Sequence, residues 1–319
     1  MTCTDTTDPE HPVTLPRTEL DALLAHRVGT RLDLDPDSLA RHLPLLDEVV
    51  ATTANGSALI SDLAAYAEPS FTGEAFAVRT DRVTVRLARS AVAALVRTDA
   101  DDDAREPAGL WMFDADGTAV HRAHLVSEPA PMVLDVMALA PRAERTEAVP
   151  PELPDPDELD QIGLLDAILA DDGDLLDRIA RPAFPVGGFL PVVELLCLLC
   201  EQGVPVGMAV PNRGCLQASV GWVDHVETGD VVGVVSGPAQ FAFGPADVDA
   251  ARVVRTHGPH GPMSTVLLTG DDGRCLALLG QLGLPPVSAV TAWERMVADI
   301  FGGRGSGGRG FGGRGRPTG

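Results

Sequence analysis

The chain has 319 residues and a formal net charge of −22. All 24 of its basic residues are Arg, which excludes chemistry that needs a Lys amine, such as a Schiff base or a P-loop lysine. With 45% hydrophobic and 22% charged residues the chain has globular composition and enough length for two cores, and its acidity disfavours nucleic acid and anionic membrane.

In chain order, Met1 to Glu10 has neither a basic nor an apolar leader pattern, and no run approaches the roughly 18 apolar residues of a membrane span. A cytoplasmic protein without membrane insertion is expected. DSLARHLPLLDEVV reads as helix, and Asn55-Gly56 as a turn between strands. DRVTVRL alternates as a strand, and LWMFDADGTAVHRAHL reads as a hairpin around Asp-Ala-Asp-Gly. A Pro- and acid-rich stretch from Ala140 to Asp160 reads as a linker. GFLPVVELLCLLCEQG is a second helix, ended by Gly203. Asn212-Arg-Gly214 marks another turn, His257-Gly-Pro-His260 a surface loop, and VLLTGDDGRCLALLG another hairpin. SAVTAWERMVADIF places Val290, Trp293, Val297 and Ile300 on one helical stripe, with Ser288 as the expected N-cap. The final Gly302 to Gly319 carries four Arg and no acid, so the rest of the chain stands four units lower, at −26. Its glycine content predicts a disordered tail.

These features repeat. Val-Arg-Thr ends at Thr98 and again at Thr256, 158 residues on; Asn55 and Asn212 lie 157 apart, and the hairpin glycines Gly117 and Gly273 lie 156 apart. Three turn-and-strand features in the same order predict a duplication. The expected fold is α+β, with two tandem diverged repeats of mainly antiparallel sheet and packing helices. The divisions are a first repeat over 1–148, a linker over 149–160, a second repeat over 161–301 and a tail over 302–319.

In DRVTVRL, Arg82, Thr84 and Arg86 share one face and Val83, Val85 and Leu87 the other. With Arg79, Arg89 and Arg97 near in sequence, this is the most cationic folded stretch, suited to carboxylates or phosphates. In TAVHRAHL, His121 and His124 fall on opposite faces and cannot share one metal. Each is a structural histidine or a single axial ligand. Cys197 and Cys200 read as core thiols of one helix face, and five cysteines do not make a disulfide framework. No nucleotide fingerprint, zinc site or nucleophile elbow is present, so neither NAD nor zinc is expected.

MFDADGTAVHRAHL and PNRGCLQASVG resemble the corresponding hairpin and strand of the HemS/ChuS/HmuS family of cytoplasmic haemin-degrading and haem-trafficking proteins. The order of features and the duplication also fit. The resemblance implies a haem-binding protein of iron acquisition, receiving haemin from importer components and passing it on or cleaving its ring. By the same resemblance Arg86, Arg82 and Arg213 are the candidate haem-binding residues, and His121, His124 or a loop histidine the substitute iron ligand. A substitute is required because Gly173, Ile60 and Ala218 stand where the family carries histidines. The alternative is a diverged scaffold or regulator of the same fold that has lost haem ligation. Nucleic acid enters only as a weak partner of the Arg/Gly tail.

Overall fold

A computed structural model describes residues 18–25, 29–34, 36–69, 78, 81–88, 91–100, 107–126, 130–138, 159–170 and 186–302. The chain order is α1 (Glu19–Ala25), β1 (Gly29–Leu32), α2 (Pro36–His42) with a 3-10 turn at Leu43–Leu46, β2 (Val49–Ala54), β3 (Ala58–Tyr66), β4 (Arg82–Leu87), β5 (Ala94–Thr98), β6 (Gly109–Phe113), β7 (Ala119–Leu125) and α3 (Ala130–Ala138). It continues with α4 (Gln161–Leu169), β8 (Val186–Gly187), α5 (Leu190–Gln202), β9 (Val206–Pro211), β10 (Cys215–Gly221), β11 (His225–Glu227), β12 (Val232–Ser236), β13 (Ala239–Phe243), β14 (Ala250–Gly258), β15 (Gly261–Thr269), β16 (Cys275–Gly280) and α6 (Val287–Phe301).

The duplication is visible in the strand order. The first half runs β1-β5-β6-β7-β2-β3 and the second β8-β14-β15-β16-β9-β10, the same permutation of equivalent strands. The halves then exchange strands. β3 pairs antiparallel with β13 of the second half, from Ala58↔Phe243 to Asp62↔Ala239. β10 pairs antiparallel with β4 of the first half, from Cys215↔Leu87 to Ala218↔Thr84. Each half therefore completes the other's sheet.

Two asparagines clasp this seam reciprocally. The Asn55 side-chain amide donates to the carbonyls of Pro211 at 2.8 Å and Leu276 at 2.7 Å. The Asn212 amide donates to those of Ala54 at 3.0 Å and Val120 at 2.7 Å. Each Oδ1 also accepts two backbone N–H groups of its own turn. A side chain with two donors and a two-lone-pair acceptor, tolerated in turns, is required here, which explains why Asn recurs at both positions.

Helices cover the sheets as amphipathicity dictates. In the second half α5 and α6 bury Leu195, Leu196, Leu199, Trp293, Val297 and Ile300 against one face. On the other face α4 packs Leu164, Leu165, Ile168 and Leu169 on Ala209, Leu216, Ala218 and Leu278. In the first half α2, the 3-10 turn and α3 cover Val49, Ala51, Leu110 and Met112 with Leu39, Leu46, Leu134 and Met137.

Local departures from the expectations have simple causes. The helix expected through Val50 stops at Leu46, because Val49 and Val50 are claimed by β2 pairing with β3 and β7. The N-cap of α6 is Pro286, not Ser288, and no side chain caps it. Cys197 is exposed and Cys200 half-buried, because α5 turns Leu195, Leu196 and Leu199 inward instead. His257 is the penultimate residue of β14 and His260 sits in the two-residue turn to β15, so the Gly/Pro segment is itself a hairpin tip; both are exposed. The hairpin glycines adopt left-handed backbone, Gly117 at φ 76° and Gly273 at φ 78°, which only Gly reaches without strain. Of the expected linker only Leu159 and Asp160 lie within the described residues, where Asp160 caps α4; the tail beyond Gly302 and residue Gly173 lie outside them.

Candidate functional site

β4 presents its two faces as its alternation requires. Val83, Val85 and Leu87 join the first-half core. Thr84 and Arg86 point the other way, beside Ala218 and Leu216 of β10, into the layer covered by α4. Arg86 Nε donates to Asp166 Oδ1 at 2.6 Å, and Nη2 lies 2.5 Å from the same oxygen. Both side chains are about three-quarters buried, at 28% and 27% exposure. The Thr84 hydroxyl, two residues along the same face, is buried and has no hydrogen-bond partner among the described residues. Arg82 stands at the rim, 42% exposed, 3.9 Å from Asp81. Arg97 faces elsewhere and pairs with Asp135 and Asp99. Arg79 and Arg89 lie outside the described residues.

Asp166 was not among the residues singled out from sequence. One signal was available: it is the lone charged residue of α4, QIGLLDAIL. A carboxylate in an otherwise apolar helix needs a partner across the interface.

A second feature lies at the seam. An open cleft of about 550 Å³, within the usual range of ligand pockets, is lined by Asn55, Asn212, Arg122, Arg213, Arg274 and Asp272 among others from both halves. Each guanidinium there already has a carboxylate: Arg122 with Glu19 at 2.6 Å, Arg213 with Asp116 at 3.1 Å and Arg274 with Asp272 at 3.5 Å. Arg213 is 58% exposed. Neither Arg86 nor any histidine lines this cleft among the described residues. The three arginines expected to act together are thus divided between the α4 layer and the seam.

The histidines separate as the strand alternation demands. His121 points inward and is buried; its Nδ1 shares a hydrogen bond with Thr53 Oγ1 at 2.8 Å and its Nε2 one with Tyr66 Oη at 2.7 Å. Burial lowers its pKa from 6.5 to about 3. Both ring nitrogens are engaged in the core, leaving no lone pair directed at a ligand. Around it, burial drives the Tyr66 hydroxyl well above its usual range and the Cys215 thiol up to about 12, so the whole group is neutral. His124 points outward, edge-on to Trp111 at 5.9 Å between centroids, with the Arg122 guanidinium 4.3 Å from that indole. Ile60 and Ala218 are fully buried in apolar clusters, Ile60 with side chains of α5 and α6 and Ala218 with those of α4, so neither position presents a ligand.

Residues 14–135 match the model of the haemin-degrading HemS/ChuX domain. The fold over most of the chain is similar to that of two solved haem-handling proteins. ChuS, an Escherichia coli haem oxygenase, aligns with 14% identity over 88% of this chain and 90% of its own, at a TM-score of 0.68. Apo-PhuS, a haem-binding protein of Pseudomonas aeruginosa, aligns with 19% identity over 87% and 89%, at 0.64, and holo-PhuS with 18% over 86% and 88%, at 0.64. A search of the curated proteins finds no match. Among the described residues, no helix is long and apolar enough to cross a membrane.

Proposed function

We propose that this protein binds haem as cargo, in the cytoplasm, as part of iron acquisition, taking haemin from importer components and passing it on. The observation that supports the reading is the HemS/ChuX match over residues 14–135, beside a fold similar to PhuS over 87% of the chain. The described residues fit one part of haem and not another. Arg86 and the Thr84 hydroxyl, with Arg82 at the rim, form a row of donors on one face of β4, suited to the ligand's carboxylates. His121 is spent in the core and offers iron no lone pair, and no histidine stands beside Arg86 on β4. Binding then rests on carboxylate pairing and apolar contact, and transfer is favoured over oxidative ring cleavage.

The second reading is a scaffold of the same fold without haem ligation. It is favoured by the occupied state of Arg86 and the histidine-free cleft. Haemin titration of the purified protein, followed at the Soret band, separates the two. A saturable one-to-one shift that Arg86→Ala weakens and His121→Ala leaves spectrally unchanged supports haem carriage. A shift abolished by His124→Ala identifies an iron ligand on the outer face of β7. An unsaturable response equal in all variants overturns haem binding and leaves the scaffold.

A further inference from the structure

The donor row on β4 is already filled by the protein's own carboxylate. Asp166 comes from α4, an element of the second half, and reaches a guanidinium on a strand of the first half with both Nε and Nη2 at hydrogen-bond distance. Next to it the Thr84 hydroxyl, 6% exposed, is left without a partner among the described residues. The buried hydroxyl is an unmet donor on the same strand face as the matched guanidinium, so that face holds more donor capacity than one aspartate satisfies. We infer that Asp166 is an internal plug, an autoinhibitory carboxylate that occupies Arg86 until the carboxylate of a ligand displaces it. The ligand class is a planar or apolar molecule bearing at least one carboxylate; naming it haem rests on the reading above.

The plug is separable from the fold. Four apolar side chains of α4, Leu164, Leu165, Ile168 and Leu169, are buried, and the helix is also held by its Asp160 cap and by Gln161, whose Nε2 donates to the Gln281 carbonyl at 2.8 Å. Apolar burial on that scale exceeds a partly exposed ion pair several-fold, so neutralising Asp166 leaves α4 docked. What changes is competition. A ligand carboxylate no longer has to displace an anion from Arg86, and the fork is free to bind it with both nitrogens.

The experiment compares the wild type, Asp166→Asn and the Arg86→Ala/Asp166→Asn double variant as full chains. Each is titrated with haemin and with haemin dimethyl ester, whose carboxylates are blocked, and thermal unfolding checks that each is folded. Asp166→Asn is expected to bind haemin about tenfold tighter than the wild type, with the ester unaffected and the double variant losing the gain. Saturable haemin binding with the same or weaker affinity in Asp166→Asn overturns the plug and leaves haem carriage standing. An equal gain for the ester also overturns it, because the effect is then not carboxylate competition. Absence of saturable haemin binding in all three overturns both readings. Should Asp166→Asn unfold, Asp166→Ser provides the same comparison with a smaller neutral side chain.

Discussion

Acidification from pH 7 to pH 5 should weaken this protein through one buried ring. His121 is uncharged in the fold, with its pKa lowered to about 3 by burial, against 6.5 when exposed. Below 6.5 the unfolded chain takes up a proton that the folded chain refuses, so unfolding gains free energy as pH falls. The stabilising contribution is complete above pH 6.5 and is lost progressively from there down to about pH 3. At about 1.4 kcal/mol per pH unit, the loss between pH 7 and pH 5 is about 2 kcal/mol. Tyr66 and Cys215 stay neutral throughout, since both are pushed upward, so the network changes only through the imidazole. The assay is urea denaturation of the wild type and His121→Asn at several pH values. The variant starts less stable at pH 7, because Tyr66 and Thr53 lose a partner, but its deficit should shrink by about 2 kcal/mol at pH 5. Deficits that stay constant with pH would refute the buried neutral imidazole.

Asn55→Ala and Asn212→Ala should each cost about 2–4 kcal/mol in the same assay, since each removes two donors and leaves carbonyls of the opposite half unmatched; a cost under 1 kcal/mol would contradict the clasp. Residues 1–148 expressed alone should fail to show a cooperative unfolding transition, because β3 loses β13 and β4 loses β10; a sharp transition would show that strand exchange is dispensable. Asp62 is 4% exposed, and its pKa is raised by burial against the relief of a hydrogen bond from Ser219. Its folded form holds its proton more tightly than the unfolded form, so its charge costs stability as pH rises above the unfolded value near 3.8. Asp62→Asn should therefore raise the unfolding midpoint more at pH 7 than at pH 4, and an equal change at both would sink the argument.

Regular local features were legible before any coordinates. The alternation of DRVTVRL placed Arg82, Thr84 and Arg86 on one face, and that face is the one turned toward α4. The stripe Val290, Trp293, Val297 and Ile300 is buried as its 3.6-residue period requires. What misled were positions where a neighbour competes for the same residues. Cys197 is outside the core because the face of α5 turned to the sheet is the one bearing Val192, Leu195, Leu196 and Leu199. His121 and His124 looked equivalent as ligands, since alternation tells only that they face apart and not which face is the core.

The sequence by itself determined the duplication, the hairpins, the helical stripes and the excess of negative charge, because turn chemistry, periodicity and charge are properties of neighbours along the chain. Tertiary structure alone decided the exchange of β4 and β13 between halves, the pairing of Arg86 with Asp166 and the burial of His121. Those contacts join residues 55 to 185 positions apart, and a pairing over such distances depends on which surfaces meet when both cores close. No local pattern encodes it. Arg86 on a strand of an acidic protein reads as a cation awaiting a ligand, and only the packing of α4 shows which carboxylate reached it first.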